Sequence, residues 1–138
     1  MVVVSGSNSR ELAQELAKQL NWDLHDLEAR RFPDSEGYFR IPEEAIEGVR
    51  KEPVVLVSST FPDSGIVETM LLLEAIRDVR NGNLDNIRQI NPQHLDPVGP
   101  GIILAIPYFG YSRQDKRFKP GEAISAQAIG RLLASKCD

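Results

Sequence analysis

Four cations crowd into one short stretch of this chain: Arg113, Lys116, Arg117 and Lys119. They stand within Tyr108-Phe-Gly-Tyr-Ser-Arg-Gln-Asp-Lys-Arg-Phe-Lys-Pro-Gly-Glu122, interleaved with aromatic residues, and the stretch follows an apolar run that ends at Ile106. Arg113 and Gln114 place a guanidinium fork beside an amide, a pair that reads phosphate oxygens and ring edges, while the lysines add point charge. Such a loop fits an anion that carries an aromatic base, and nucleotide phosphate is the natural ligand. A charge run is more often a plain solvated loop. Here Arg-Gln-Asp, the tyrosines and a Pro-Gly turn come together after a buried strand, and that conjunction favours a site.

A second candidate is Arg31-Phe-Pro-Asp-Ser-Glu36. In one reading Pro33 and Asp34 set a hairpin bend and Phe32 closes a minor core. In the other, Phe32 stacks on a purine, worth roughly 1–3 kcal/mol, while Asp34 or Glu36 accepts a hydrogen bond from the exocyclic amine. Ser58, Ser59 and Thr60 could hold phosphate at a helix start or cap that helix, and the cap is preferred. His25 and His94 have no second histidine or cysteine at ligand spacing, so no metal site is expected. Neither a Gly-x-x-x-x-Gly-Lys-Ser/Thr loop nor a Gly-x-Gly-x-x-Gly fingerprint occurs, which removes the main support for a P-loop ATPase or a dinucleotide enzyme.

The elements that must position these residues follow from periodicity. Val2–Val4, a small-residue loop and a helix with Leu12, Ala13, Leu16, Ala17 and Leu20 on one face make a first strand-loop-helix unit, with Asn8 and Glu11 placed as a capping box. Val54–Val57, a polar loop and a helix over 66–80 make a second. Ile102–Ile106, the basic loop and a helix over 125–135, with Ile129, Leu132 and Leu133 on one face, make a third. Alternation of this kind predicts an α/β fold: a parallel sheet with helices on both faces. Residues 23–31 and 36–41 read as the strands of an antiparallel hairpin projecting from it. Ligands of open parallel sheets bind beyond the carboxyl ends of the strands, so the loops 5–8, 58–65 and 107–121 should share one edge. Residues 81–100 read as a surface insertion.

With 138 residues the chain has the size of one domain. A net charge of −4 despite 16 basic residues makes the cationic cluster local, so a nucleic-acid partner is not expected. No segment reads as a signal or membrane span, and a soluble, cytoplasmic protein is expected. Cys137 stands alone and can form no internal disulfide.

Taken in order, Arg31 to Glu36, Ser59-Thr60 and Pro107 to Ser125 resemble the amino-terminal domain of ribose-phosphate pyrophosphokinase, also called phosphoribosyl pyrophosphate synthetase. The likeness covers nearly the whole chain, and Phe118-Lys-Pro-Gly-Glu122 is similar to archaeal members. It implies a phosphoribosyltransferase-like, Rossmann-like domain spanning 1–138. The implied activity is transfer of the diphosphate of ATP to ribose 5-phosphate, with magnesium, giving phosphoribosyl pyrophosphate and AMP. By resemblance, Arg113 and Gln114 match an ATP-contacting pair, and Phe32, Asp34 and Glu36 match the adenine-recognition hairpin. In the family this hairpin reaches across a dimer interface, so a homo-oligomer, dimer or hexamer, is implied. Ser35 stands where the family usually has glycine. The family's metal-associated histidine strand, its flexible Lys-Arg catalytic loop and the acidic segment before Thr-Gly-Gly are not found in these residues. The catalytic residues of this chain are therefore unknown, magnesium is expected to arrive with ATP, and activity is expected only of a longer polypeptide. The alternative is a noncatalytic nucleotide-binding or regulatory module. A purine phosphoribosyltransferase is disfavoured because its phosphoribosyl pyrophosphate loop is missing.

Overall fold

The computed structural model describes residues 1–82, 84 and 101–138. Four strands, β1 (Val2–Ser5), β2 (Asp23–His25), β5 (Val54–Val57) and β6 (Ile102–Ala105), form a parallel sheet in the order β2-β1-β5-β6. The two central strands are buried along their whole length. Their uninterrupted Val-Val-Val and Val-Val-Leu-Val runs have that cause, since a parallel strand covered on both faces has no polar side.

Strand alternation assigns the layers. Val3, Val55 and Val57 point to one face and pack with Ala13 and Ala17 of α1 (Arg10–Leu20), where Leu16, Trp22 and Leu24 complete the layer. Val2, Val4, Val54, Leu56 and Ile102 point to the other. There they meet Ala45 and Val49 of α2 (Glu43–Lys51), Leu72, Leu73, Ile76 and Val79 of α3 (Asp63–Asn81), and Leu133 of α4 (Ser125–Ala134). Full burial of each such Val or Leu contributes about 1.5–3 kcal/mol. Helices thus cover both faces, as the alternation predicts.

Several local expectations are corrected. Residues 23–25 are not part of the hairpin: Asp23, Leu24 and His25 pair in parallel with Val2, Val3 and Val4, because Leu24 completes the layer under α1. The hairpin is shorter and consists of β3 (Glu28–Arg31) and β4 (Gly37–Arg40), paired from Glu28 with Arg40 to Arg31 with Gly37. Helix α2 is additional. Its signal is legible in retrospect: Pro42 before it, Glu43 and Glu44 in the first turn, Arg50 and Lys51 in the last, and Ala45 and Val49 one turn apart on the buried side. Helix α3 starts three residues earlier than its apolar periodicity suggests, directly after Pro62. On α4, Ile129 and Leu133 face the core, but Leu132 is exposed.

The capping box does not form. Ser9, not Asn8, is the residue before α1, and it makes no side-chain cap. Asn8 is drawn away by a tertiary contact: its amide donates to the Ser59 carbonyl at 2.8 Å, and its side-chain oxygen accepts from the Ser59 N–H at 3.2 Å. The segment read as an insertion, and His94 within it, fall outside the described residues except at 81, 82 and 84. Among the described residues no helix is long and apolar enough to cross a membrane.

Candidate functional site

The loops after β1, β5 and β6 meet at the carboxyl edge of the sheet. The Gly6 N–H donates to the Val57 carbonyl at 2.8 Å, and the Ser58 N–H to the Ala105 carbonyl at 3.0 Å. Further out, the Thr60 N–H donates to the Tyr108 carbonyl at 3.0 Å, and the Gly110 N–H to Thr60 Oγ1 at 2.7 Å. Gly110 is required by this closeness: a Cβ there would stand 2.3 Å from the Thr60 carbonyl oxygen. An open cleft of about 590 Å3 lies along the same edge, between Ser7 to Leu12, Ser59 and Pro107.

Ser58, Ser59 and Thr60 therefore neither cap α3 nor stand free for phosphate. The Ser58 hydroxyl meets that of Thr69 at 2.8 Å, Ser59 Oγ lies 3.1 Å from Ser9 Oγ, and Thr60 Oγ1 is taken up by Gly110. Ser59 and Thr60 staple the three loops together, and Ser58 ties them to α3. The β1 loop is held from below by Glu68. Its carboxylate is buried and accepts from both the Ser7 N–H and the Ser7 hydroxyl.

The basic loop is braced from within. One Glu122 carboxylate oxygen accepts from the Phe118 N–H at 2.7 Å and the Lys119 N–H at 3.0 Å, and Arg117 Nε donates to the Glu122 carbonyl at 2.9 Å. Gln114 Nε2 donates to the carbonyls of Lys116 at 3.3 Å and Ala123 at 3.4 Å. Lys116 Nζ lies 5.2 Å from the Phe118 ring centroid. Arg113 is exposed and has no hydrogen bond or ion pair among the described residues. Internal bonds thus fix the loop backbone and leave this guanidinium exposed. Tyr111, two residues before it, has φ +62 and donates its hydroxyl to Asp63 Oδ1 at 2.9 Å. That bond, and then the carboxylate's charge, raise the Tyr111 phenol above its ordinary value.

The hairpin presents Phe32 outward. Phe32 is 39% exposed and belongs to neither core cluster, so the minor-core role is not what this structure shows. Its ring meets Tyr38 edge-on at 5.9 Å, and the Arg30 guanidinium carbon lies 5.1 Å from the Phe32 centroid and 4.2 Å from that of Tyr38. Asp34 Oδ1 accepts from the Glu36 N–H at 3.0 Å, and the Phe32 N–H donates to the Glu36 carbonyl at 2.8 Å. Asp34 therefore shapes the turn, and the exposed Glu36 side chain extends beyond it. Ser35 adopts φ +74, the left-handed region where glycine is favoured. Arg30 and Tyr38 were not anticipated beside Phe32, nor was the bond between Tyr111 and Asp63. For Arg30 the signal was available, since residues two apart on a strand share a face.

Among the described residues, no hydrogen bond or ring contact joins Phe32, Asp34 or Glu36 to Arg113 or Gln114. The hairpin instead lies against α3, with a cleft of about 340 Å3 between Arg31, Glu36, Phe39, Val67, Glu68 and Leu71. The two predicted halves of the site stand on separate parts of the chain.

Comparison with known proteins bears on this arrangement. The family model described as the N-terminal domain of ribose phosphate pyrophosphokinase matches residues 1–89 and 100–136. The chain belongs to that family. Residues 90–99, left unmatched, lie inside the stretch read as an insertion. The ribose-phosphate pyrophosphokinase of Methanothermobacter thermautotrophicus is 36% identical over 133 residues, covering 96% of this chain and 39% of that protein. Its counterpart in Saccharolobus solfataricus is 35% identical over 136 residues, covering 97% and 39%. The chain thus spans about two-fifths of the length of these curated relatives. A crystal structure of phosphoribosylpyrophosphate synthetase from Mycobacterium smegmatis superposes with a TM-score of 0.71 at 23% identity, over 98% of this chain and 39% of that one. It establishes the fold: a four-stranded parallel sheet flanked by helices, with an antiparallel hairpin.

Proposed function

We propose that these residues are the ATP side of a ribose-phosphate diphosphokinase whose activity belongs to a longer polypeptide. In that reaction the 1-hydroxyl oxygen of ribose 5-phosphate bonds to the β-phosphorus of ATP. The bridge between the α- and β-phosphates breaks, AMP leaves, and the hydroxyl proton is released. The observation that carries the reading is the unpaired Arg113 guanidinium, on a loop after β6 whose backbone is braced by the Gln114 and Glu122 side chains.

In this reading Arg113 binds phosphate oxygens, and the charges of Lys116, Arg117 and Lys119 lower the cost of bringing a polyanion to the loop. Gln114 spends its amide N–H groups on the loop itself, so its contact to nucleotide is through the side-chain oxygen. Phe32 covers the purine, and Glu36 accepts from its amine. Asp34 contributes through the turn it holds. Because no hydrogen bond or ring contact joins the hairpin to the basic loop among the described residues, a complete adenine site in this reading takes the hairpin of a second copy. A homo-oligomer, dimer or hexamer, in the cytoplasm is the corresponding assembly. Among the described residues no three His, Cys, Asp or Glu side chains gather to hold a metal. Magnesium in this reading enters on the nucleotide phosphates, where it would neutralise charge.

Calorimetry with ATP tests the reading. Arg113→Ala should weaken binding by about 1.5–3 kcal/mol, the worth of a charge-assisted hydrogen bond. Phe32→Ala should weaken ATP but leave inorganic triphosphate unchanged, because stacking concerns only the base. Equal ATP affinity in the wild type and Arg113→Ala would remove the loop from the site.

A further inference from the structure

We propose that Tyr111 and Asp63 form a latch that positions Arg113, so that both act on nucleotide affinity without touching the nucleotide. The inference rests on the reading of Arg113 as the phosphate-binding residue. The Tyr111 hydroxyl donates to Asp63 Oδ1 at 2.9 Å, across 48 residues of sequence. It ties the basic loop to the first residue of α3. Tyr111 also holds φ +62, a conformation that a bulky aromatic residue adopts only when its surroundings enforce it. Its neighbours account for the enforcement. On one side Gly110 is pressed against Thr60, and on the other the Gln114 N–H donates to the Tyr111 carbonyl at 2.9 Å.

Arg113 sits between those anchors and has no fixed partner of its own among the described residues. Its guanidinium can be preorganised only through the backbone that carries it. Of the hydrogen bonds between this loop and the segment 58–63, the Tyr111–Asp63 bond is made by two side chains, whereas the others involve backbone groups; the Phe61 and Tyr108 rings add an edge contact at 5.5 Å. It can therefore be removed without disturbing the strand ends. A ligand that finds its guanidinium already in place loses less ordering entropy on binding.

The test is calorimetric titration of ATP and of inorganic triphosphate into wild type, Tyr111→Phe, Asp63→Ala, the double variant, Asp63→Asn and Arg113→Ala. Hydrogen exchange of residues 110–114 is followed in parallel. Tyr111→Phe and Asp63→Ala should each weaken both ligands roughly three- to tenfold, the worth of one hydrogen bond. The double variant should lose no more than the worse single one. Asp63→Asn should retain affinity, since its amide oxygen still accepts the hydroxyl, and Tyr111→Phe should speed exchange of the Gln114 N–H. Loss in Tyr111→Phe with none in Asp63→Ala would mean that Tyr111 touches the ligand directly, and would overturn the latch. So would additive losses, or unchanged exchange at Gln114. If Arg113→Ala weakens ATP while Tyr111→Phe does not, the latch fails and the nucleotide reading stands. If Arg113→Ala is silent as well, the nucleotide reading itself falls and the latch with it.

Discussion

Replacing Gly110 by alanine perturbs the point where the loops after β5 and β6 press together. The added methyl would stand 2.3 Å from the Thr60 carbonyl oxygen and 3.2 Å from its carbonyl carbon. Both are backbone atoms, so no rotamer change relieves the clash and the two loops must separate. Separation strains or breaks the Gly110 N–H bond to Thr60 Oγ1 and the Thr60 N–H bond to the Tyr108 carbonyl, 2.7 and 3.0 Å long. Overpacking costs about 1–3 kcal/mol and each bond adds about 0.5–1.5 kcal/mol. The expected destabilisation is about 2–6 kcal/mol, which for a chain of this size lowers Tm by roughly 6–30 °C. Differential scanning calorimetry reads it directly. ATP affinity measured well below the transition should fall too, because Arg113 rides on the displaced loop. Gly130→Ala is the internal control: inside α4 its new Cβ would meet only Phe109, at 3.9 Å, an ordinary contact. It should stabilise by about 0.5–1 kcal/mol through helix propensity. A Gly110→Ala protein melting within about 2 °C of the wild type would refute the reasoning, since the loops could then part without cost.

Arg80 is 5% exposed and donates to the carbonyls of Val49, Glu52 and Gly101, at 3.2, 2.8 and 3.3 Å. Arg80→Met should cost about 3 kcal/mol by removing all three bonds, and denaturant unfolding with an unchanged midpoint would contradict this. The Tyr111 phenol is raised above its ordinary value of 10.0, first by its hydrogen bond to Asp63. Its folded value exceeds the unfolded one, so the latch's contribution is complete below pH 10 and is lost as pH rises through the folded value. Ultraviolet titration of tyrosinate should show a late component that moves down in Asp63→Ala; a titration curve that Asp63→Ala leaves unchanged would refute the bond.

The parallel sheet, its three strand-loop-helix units and the meeting of three loops at one edge were legible because buried strands and amphipathic helices leave periodic patterns. The hairpin was legible as a feature but not in its extent. Residues 23–31 look like one strand, yet Leu24 is needed in the layer under α1 and Leu27 packs against the opposite core, so the strand splits between two sheets. Asn8 and Glu11 satisfy a local capping rule, but Ser59 offers Asn8 two bonds that no local rule can foresee. Ser58, Ser59 and Thr60 look like free hydroxyls in sequence, and each is occupied by a residue at least 11 positions away.

The types and order of the residues, taken alone, determined that this is an α/β domain with cationic and aromatic groups beyond its third core strand, and to which family it belongs. Those properties follow from local periodicity and from motifs contiguous in the chain. Which polar groups remain available to a ligand was decided only by the tertiary structure. Gln114, Glu122 and Tyr111 are drawn into bonds that shape the loop, and Arg113 is left exposed. The tertiary fold also set Phe32 against Tyr38 and Arg30. A side chain's freedom depends on distant partners brought within about 3 Å, and spacing along the sequence carries no record of that distance.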